Sequence, residues 1–399
     1  MKKSLFALAA LNLVCATAYA QSSVTLYGIM DAGFGYTSQR RVETSPGAVG
    51  KPAVYAGHSL LEMQGGAMSG DRWGLKGVEQ LSPDLSTIFQ VESGFSVGTG
   101  YLGYGGRLFG RQAYVGLNSK TYGSVTLGRQ YDPIATFVSA IGPGYFTTGV
   151  TARPGDFDNA DGQSRTNNAL LYKSPSLSGL QFGAMYGFGG QPGSTNNQSL
   201  WSVGGQYSNG PLSLAAGFTQ ANNESASNKG AWSSAYDGVM ASPVTEGFAS
   251  SKTQRIAALA GLYRLDKVTL GASYGLTQYI PGAFSTFSTK QTFNGFSVNA
   301  AYQATPVWRL AVGYGYARGN AVQGADAPQY HTFGAASFYA LSARTTLYTV
   351  VGHQKSVGKT LDHFGNVVDA TAVIGDMTTY RPSATQSQTG VRVGMRHTF

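Results

Sequence analysis

The strictest constraint on this chain is an alternation of apolar and polar residues that recurs from about residue 24 to the last residue. In Val268-Thr269-Leu270-Gly271-Ala272-Ser273-Tyr274-Gly275-Leu276-Thr277, one set is Val, Leu, Ala, Tyr and Leu, and the other is Thr, Gly, Ser, Gly and Thr. Leu212, Leu214, Ala216 and Phe218 oppose Ser213, Ala215, Gly217 and Thr219 in the same way. Trp308, Leu310, Val312, Tyr314 and Tyr316 oppose Arg309, Ala311, Gly313 and Gly315. Successive side chains of a strand point to opposite faces, so each segment is a strand with one greasy and one polar side. Sixteen such segments can be counted, the first opening near Val24, the second near Gly70 and the last near Gln386.

An antiparallel sandwich in water would alternate too. Two features favour a membrane barrel. Aromatic residues sit near the ends of the apolar faces, as at Trp308 and Tyr316, where an interfacial girdle belongs. The connections also alternate in length. Short links run through Gln80–Asp84, Asn118–Tyr122, Ser174–Ser178 and Asn209–Pro211; between such links lie long stretches at Thr37–Met68, Tyr131–Gln163, Asn222–Lys252 and Ser356–Ala384. Short turns on one rim and long loops on the other, with an even strand count, are expected of a bacterial barrel. At the end of the chain, Val391, Val393, Met395, His397 and Phe399 share one face against Arg392, Gly394 and Arg396. A strand ending on Phe399 is expected to close the barrel against the first one.

Composition agrees. The chain carries 55 glycines, 24 tyrosines and 20 phenylalanines at a mean hydropathy of only −0.11. A helical membrane protein needs runs of about 20 apolar residues, and none follows the first twenty positions. A barrel with a wet interior needs only half of its strand residues apolar. Residues 1–20 read as a cleavable leader: Lys2 and Lys3, an apolar stretch Leu5–Val14, and Ala18-Tyr19-Ala20 before Gln21. Val14 before the single Cys15 argues against a lipoprotein. Residues 21–399 then form one barrel domain with no cysteine, hence no disulfide framework. Losing Lys2 and Lys3 takes the formal charge from +9 to +7. Only 12% of residues are charged and no long basic run occurs, so a focused basic patch is expected rather than nucleic-acid binding.

With the segments laid out, the chain resembles the trimeric general porins of Gram-negative bacteria, most closely their β-proteobacterial branch. The stretches that carry the resemblance are Ser23-Val-Thr-Leu-Tyr-Gly28, Arg72-Trp-Gly-Leu-Lys-Gly77, Phe109-Gly-Arg-Gln-Ala-Tyr-Val-Gly-Leu117, Leu127-Gly-Arg-Gln-Tyr-Asp132, Pro154-Gly-Asp156 and Gly394-Met-Arg-His-Thr-Phe399. The resemblance implies an all-β, sixteen-stranded transmembrane barrel in the outer membrane, set in lipid and lipopolysaccharide and assembled as a homotrimer. It implies a third external loop, about Tyr131–Gln163, folded into the pore. Asp156, Asp158 and Asp161 match the acidic side of the family's constriction. Arg72, Arg111 and Arg165 match its basic ladder.

The residues themselves agree in part. Arg72, Gly74 and Lys76 share a face opposite Trp73 and Leu75, and Glu92 opposes Phe89 and Val91. A lipid-facing arginine at mid-bilayer costs roughly 2–4 kcal/mol, so Arg72, Lys76 and Glu92 are expected to face the lumen. A solvated wall without selective role would place any one of them there equally well. Arg129 lies on its strand's polar side and could meet the pore or a neighbouring subunit. Two G-x-S-x-G strings, Gly94–Gly98 and Gly271–Gly275, lack the strand-to-helix turn of a nucleophile elbow. His58 and His353 have no recognisable partner motif, and the five histidines show no metal-ligand spacing. An enzyme, a cofactor and a metal site are therefore not expected. Two functions remain: passive diffusion of small hydrophilic solutes and ions with a moderate anion preference, and a selective channel with a saturable carboxylate or phosphate site. Ala231-Trp232 and Phe137 motivate the second.

Overall fold

Each alternating segment can satisfy its backbone only by pairing with neighbours, and in a bilayer the sheet must close. The computed structural model, which describes residues 22–223, 242–376 and 381–399, is such a closed antiparallel sheet. Residues 1–20, read above as a leader, and Ala231-Trp232 lie outside the described residues. The strands are β1 (Ser23–Ser45), β2 (Val54–Gly65, continued by Arg72–Gln80), β3 (Leu85–Gly94), β4 (Gln112–Ser119), β5 (Gly123–Gln130), β6 (Thr166–Lys173), β7 (Leu180–Gly187) and β8 (Leu200–Asn209). They continue as β9 (Leu212–Asn222), β10 (Thr253–Leu265), β11 (Val268–Ile280), β12 (Gln291–Thr305), β13 (Trp308–Gly319), β14 (Gln329–Ala340), β15 (Thr345–Val357) and β16 (Ser387–Thr398).

The two pieces of β2 pair in succession with β1: Val78 to Arg72 lie opposite Ser23 to Ile29, and Gly65 to Val54 opposite Ala32 to Ser45. They make one interrupted strand, so the 17 segments of the sheet amount to 16 strands. Closure is between β1 and β16, from Ile29 opposite Thr398 to Thr37 opposite Gly390. Phe399 extends it by exchanging backbone bonds of 3.0 and 3.1 Å with Gly28. Its ring lies over that glycine so closely that a Cβ at position 28 would fall 2.3 Å from Phe399 Cζ.

Exposure follows the alternation. Leu270 and Tyr274 of β11 are exposed while Ser273 and Thr277 are buried, and Phe34 and Leu61 across the first hairpin are 68% and 72% exposed. A continuous apolar outer band with polar residues turned inward is the reverse of a soluble protein, and it is what hydrocarbon outside and water inside select.

The first long connection differs from expectation. Thr37–Met68 is not a loop: β1 continues to Ser45 and pairs with Val54–Gly65, with Arg40 opposite His58 and Glu43 opposite Tyr55. The far part of this hairpin, Arg40–Ser45 with Val54–His58, carries charged or polar residues on both faces, so its period-two signal fades. The break at residues 66–71 is held by Asp31, whose Oδ2 accepts the Met68 and Ser69 N–H groups at 2.6 and 2.8 Å, while Tyr348 donates to Oδ1 at 2.6 Å. Within Ser356–Ala384, a two-stranded ribbon pairs Lys359–Leu361 with Val367–Asp369.

Strand length divides the barrel. β4 to β7 have eight residues each, whereas β10, β11 and β12 have 13, 13 and 15. The connection from Tyr131 to Arg165 belongs to both sides, leaving the short strands and touching the long ones.

Candidate functional site

That connection is tied to the long strands by side chains at intervals. Asp132 Oδ2 accepts the Thr219 hydroxyl at 3.1 Å, and Arg309 donates to the Tyr145 carbonyl at 2.9 Å. Thr151 donates to Asn299 Oδ1 at 2.7 Å, Arg153 to Ser273 Oγ at 2.8 Å, and Thr277 to the Phe157 carbonyl at 3.0 Å. Glycine permits the approach: a Cβ at Gly271 would lie 2.4 Å from the Phe146 ring, and one at Gly275 would lie 1.8 Å from Asp158 Oδ2. Phe157 also joins an apolar cluster with Val244, Phe248, Tyr279, Phe293 and Tyr330.

On the short strands the connection sets Phe137 against Gly183 of β7. Beside these strands lies a cavity of about 1240 Å³, whose lining includes Arg72, Arg111, Arg165, Tyr104, Tyr131, Asp161 and Asp376. The three arginines expected from the sequence come together here. Arg111 donates from Nε to Glu92 Oε1 at 2.7 Å, from Nη1 to the Tyr104 hydroxyl at 2.7 Å and from Nη2 to the Tyr131 hydroxyl at 2.7 Å. Arg165 donates to the same Tyr131 oxygen and to the Gln163 carbonyl. Its guanidinium stacks 4.3 Å from the Tyr131 ring centre and 4.6 Å from that of Tyr104. Arg72 donates from Nε to the Gly70 carbonyl at 2.9 Å, which aims it from the break in β2. Burial alone would raise the Tyr131 phenol, but Arg165, Arg111 and Arg72 outweigh it and hold the group below its ordinary value.

The acidic candidates separate. Asp161 lines the cavity. Asp156 does not: it is buried and accepts the backbone N–H groups of Asp161 and Gln163 at 2.9 and 3.2 Å, shaping the turn. Asp158 does not either, since it is fully buried in a 3.0 Å ion pair with Arg153 against β11. Glu92 faces inward but stands on the basic wall, where it accepts Arg111 and, at 2.9 Å, the Tyr27 hydroxyl. It is not part of an opposing acidic face. The reason is register: Glu92 lies opposite Gly74 and Gln112, beside the arginines rather than across from them. Lys76 is exposed, 5.5 Å from the Tyr27 ring centre, and lies outside the cavity lining. Arg129 is bonded to Gly110 and Asn167, also outside that lining. Phe137 is buried against Gly183 and offers no face to a solute.

Sequence reasoning missed three lining residues. Tyr131 stands inside the quoted Leu127–Asp132 stretch, so its signal was present. Tyr104 is one aromatic in a glycine-rich loop, and Asp376 comes from the last external connection; neither has a local signature.

A basic wall lining a cavity beside the short strands of a closed barrel suits a channel, and comparison with known proteins decides the family. The family model described as Gram-negative porin matches residues 7–359. This chain belongs to the Gram-negative porin family. It is 32% identical to an outer membrane porin protein of Bordetella pertussis, over the full length of both chains. It is 28% identical to outer membrane porin protein 32 of Delftia acidovorans, again over both full lengths. Among solved structures, the anion-selective porin from Comamonas acidovorans superposes with a TM-score of 0.65 at 22% identity, covering 95% of this chain and 100% of that one. The porin is thus an outer-membrane channel for passive diffusion in a Gram-negative bacterium, not an enzyme. The serine of the second G-x-S-x-G string, Ser273, is bonded to Ser297 and Arg153, as a strand residue holding a loop.

Proposed function

We propose that this porin prefers anions moderately, and that its third external loop, residues 131–165, lies inside the barrel and narrows the passage to the side of the short strands. The observation that carries the reading is the meeting of Arg72, Arg111 and Arg165 on one wall of a single cavity. Arg111 and Arg165 are 5% and 1% exposed, so they act on a passing ion chiefly through their field. Low-dielectric walls around a narrow aqueous path focus that field. The loop's bonds to β9, β11, β12 and β13 support its inward position, and the relative named as an anion-selective porin is consistent with the preference.

The proposal extends to assembly. Eight residues at about 3.4 Å each, tilted about 40°, span only about 21 Å, less than the roughly 25 Å apolar band of an outer-membrane barrel. A wall that low is better covered by another subunit than by lipid, as in the homotrimer that general porins form. Residues 1–20 are inferred to be removed on export, which N-terminal sequencing from Gln21 would verify.

The test is a reversal potential in a KCl gradient across a planar bilayer, measured for the wild type and for Arg111→Ser. The wild type should favour chloride, and the variant should conduct more and discriminate less. Strong cation preference in the wild type, or an unchanged variant, would sink the reading.

A further inference from the structure

The acidic face of the passage has a member from a distant part of the chain. We propose that Asp376, carried by the last external connection, is a selectivity-determining residue that pairs with Asp161, so that the charge on this two-carboxylate face sets how strongly the arginine wall favours anions. The inference rests on the channel reading above.

Asp376 is positioned from two sides. Gln354 on β15 clamps Val373, accepting its N–H at 2.6 Å and donating to its carbonyl at 2.8 Å. Two residues further on, the Gly375 carbonyl accepts the Gly155 N–H at 2.7 Å, joining this connection to the third loop. On the third-loop side, the Asp161 carboxylate lies on Gly149, where a Cβ would fall 2.3 Å from Oδ2. Gly149 in turn touches Gly375, whose Cβ would fall 2.9 Å from the Gly149 carbonyl. Both carboxylates line the same cavity as the three arginines.

The charges facing Asp161 can be named element by element. Asp156, Asp158 and Arg153 come from its own loop, Asp376 from the last connection, and Arg72, Arg111 and Arg165 from the short wall of the same cavity. Arg153 is already paired to Asp158. Burial first, then Asp376 and Asp158, push Asp161 up to about 7. Below that pH Asp161 holds a proton and the passage is more positive. Above it the face gains a negative charge and the preference for anions weakens.

Reversal potentials in a KCl gradient from pH 5 to 9 test this. The wild type should lose anion preference as pH rises, with a midpoint near 7. Asp161→Asn should abolish the pH dependence and keep the low-pH preference throughout. Asp376→Asn should move the midpoint about one pH unit lower, because a like charge is removed; Asp376→Glu should leave it near the wild-type value. A wild type whose selectivity is flat with pH, or an Asp376→Asn midpoint that does not move, would overturn the proposal. The first of these needs no variant to fold. If anion preference is present and Arg111→Ser lowers it while pH has no effect, the pairing fails and the channel reading stands. If no anion preference appears at any pH, both fail.

Discussion

The two sides of this barrel use the same alternation for different ends. On the tall side, from β10 to β15, the inward residues are roofed by loop side chains: Phe248 lies 5.4 Å from Tyr279 and 5.7 Å from Phe293 between ring centres, and Phe157 lies 5.5 Å from Phe293. On the short side, around β4 to β7, Arg111, Tyr131 and Arg165 line a cavity instead. A barrel strand only has to be apolar outside. Its inner face is free to bind a loop or to line a passage, and that freedom is where the function resides.

Removing the fastener on the tall side should have the largest effect. Arg153→Ala leaves Asp158 buried without its partner, a loss of about 3–5 kcal/mol. The third loop should then become cleavable by added protease and single-channel currents should turn noisy. A protease-resistant loop with steady currents would mean that the ion pair does not hold it.

The outer faces should differ in kind. Leu270→Arg places a charge on exposed β11, and should destabilise the barrel by about 2–4 kcal/mol while leaving assembly intact. Leu127→Arg places it on exposed β5 of the low wall, and should dissociate the proposed trimer on unheated gels. Equal behaviour of the two variants would remove the distinction between a lipid face and a subunit face.

Strand positions were legible because lipid on one side and water on the other impose a strict period of two. That is why β11 and β13 match the sequence within a residue or two, and why the first hairpin, with charged residues on both faces beyond Thr37, was lost. Strand parity or the family resemblance singled out Arg72, Arg111 and Arg165, and the three line one cavity. Asp158 and Glu92 are inward-side acids whose roles depend on three-dimensional neighbours, Arg153 and Arg111, that no spacing along the chain reveals. Asp376 is joined to Asp161 by backbone contacts between two loops, which leave no periodic trace.

The smallest effect is expected at Lys76. It shares the face of Arg72 yet lies outside the cavity lining, so Lys76→Gln should leave the reversal potential close to the wild-type value. A shift as large as that of Arg111→Ser would extend the selective region down β2.

Thiol accessibility tests the asymmetry most directly, because Cys15, within the proposed leader, is the sequence's one cysteine. Gln112→Cys on the low wall lines the cavity, whereas Thr332→Cys on β14 replaces a residue that is 1% exposed. A bulky anionic thiol reagent should react with the first and block the current, and should leave the second unmodified. Modification and block at position 332 with none at 112 would place the passage on the wrong side of the barrel and contradict the account.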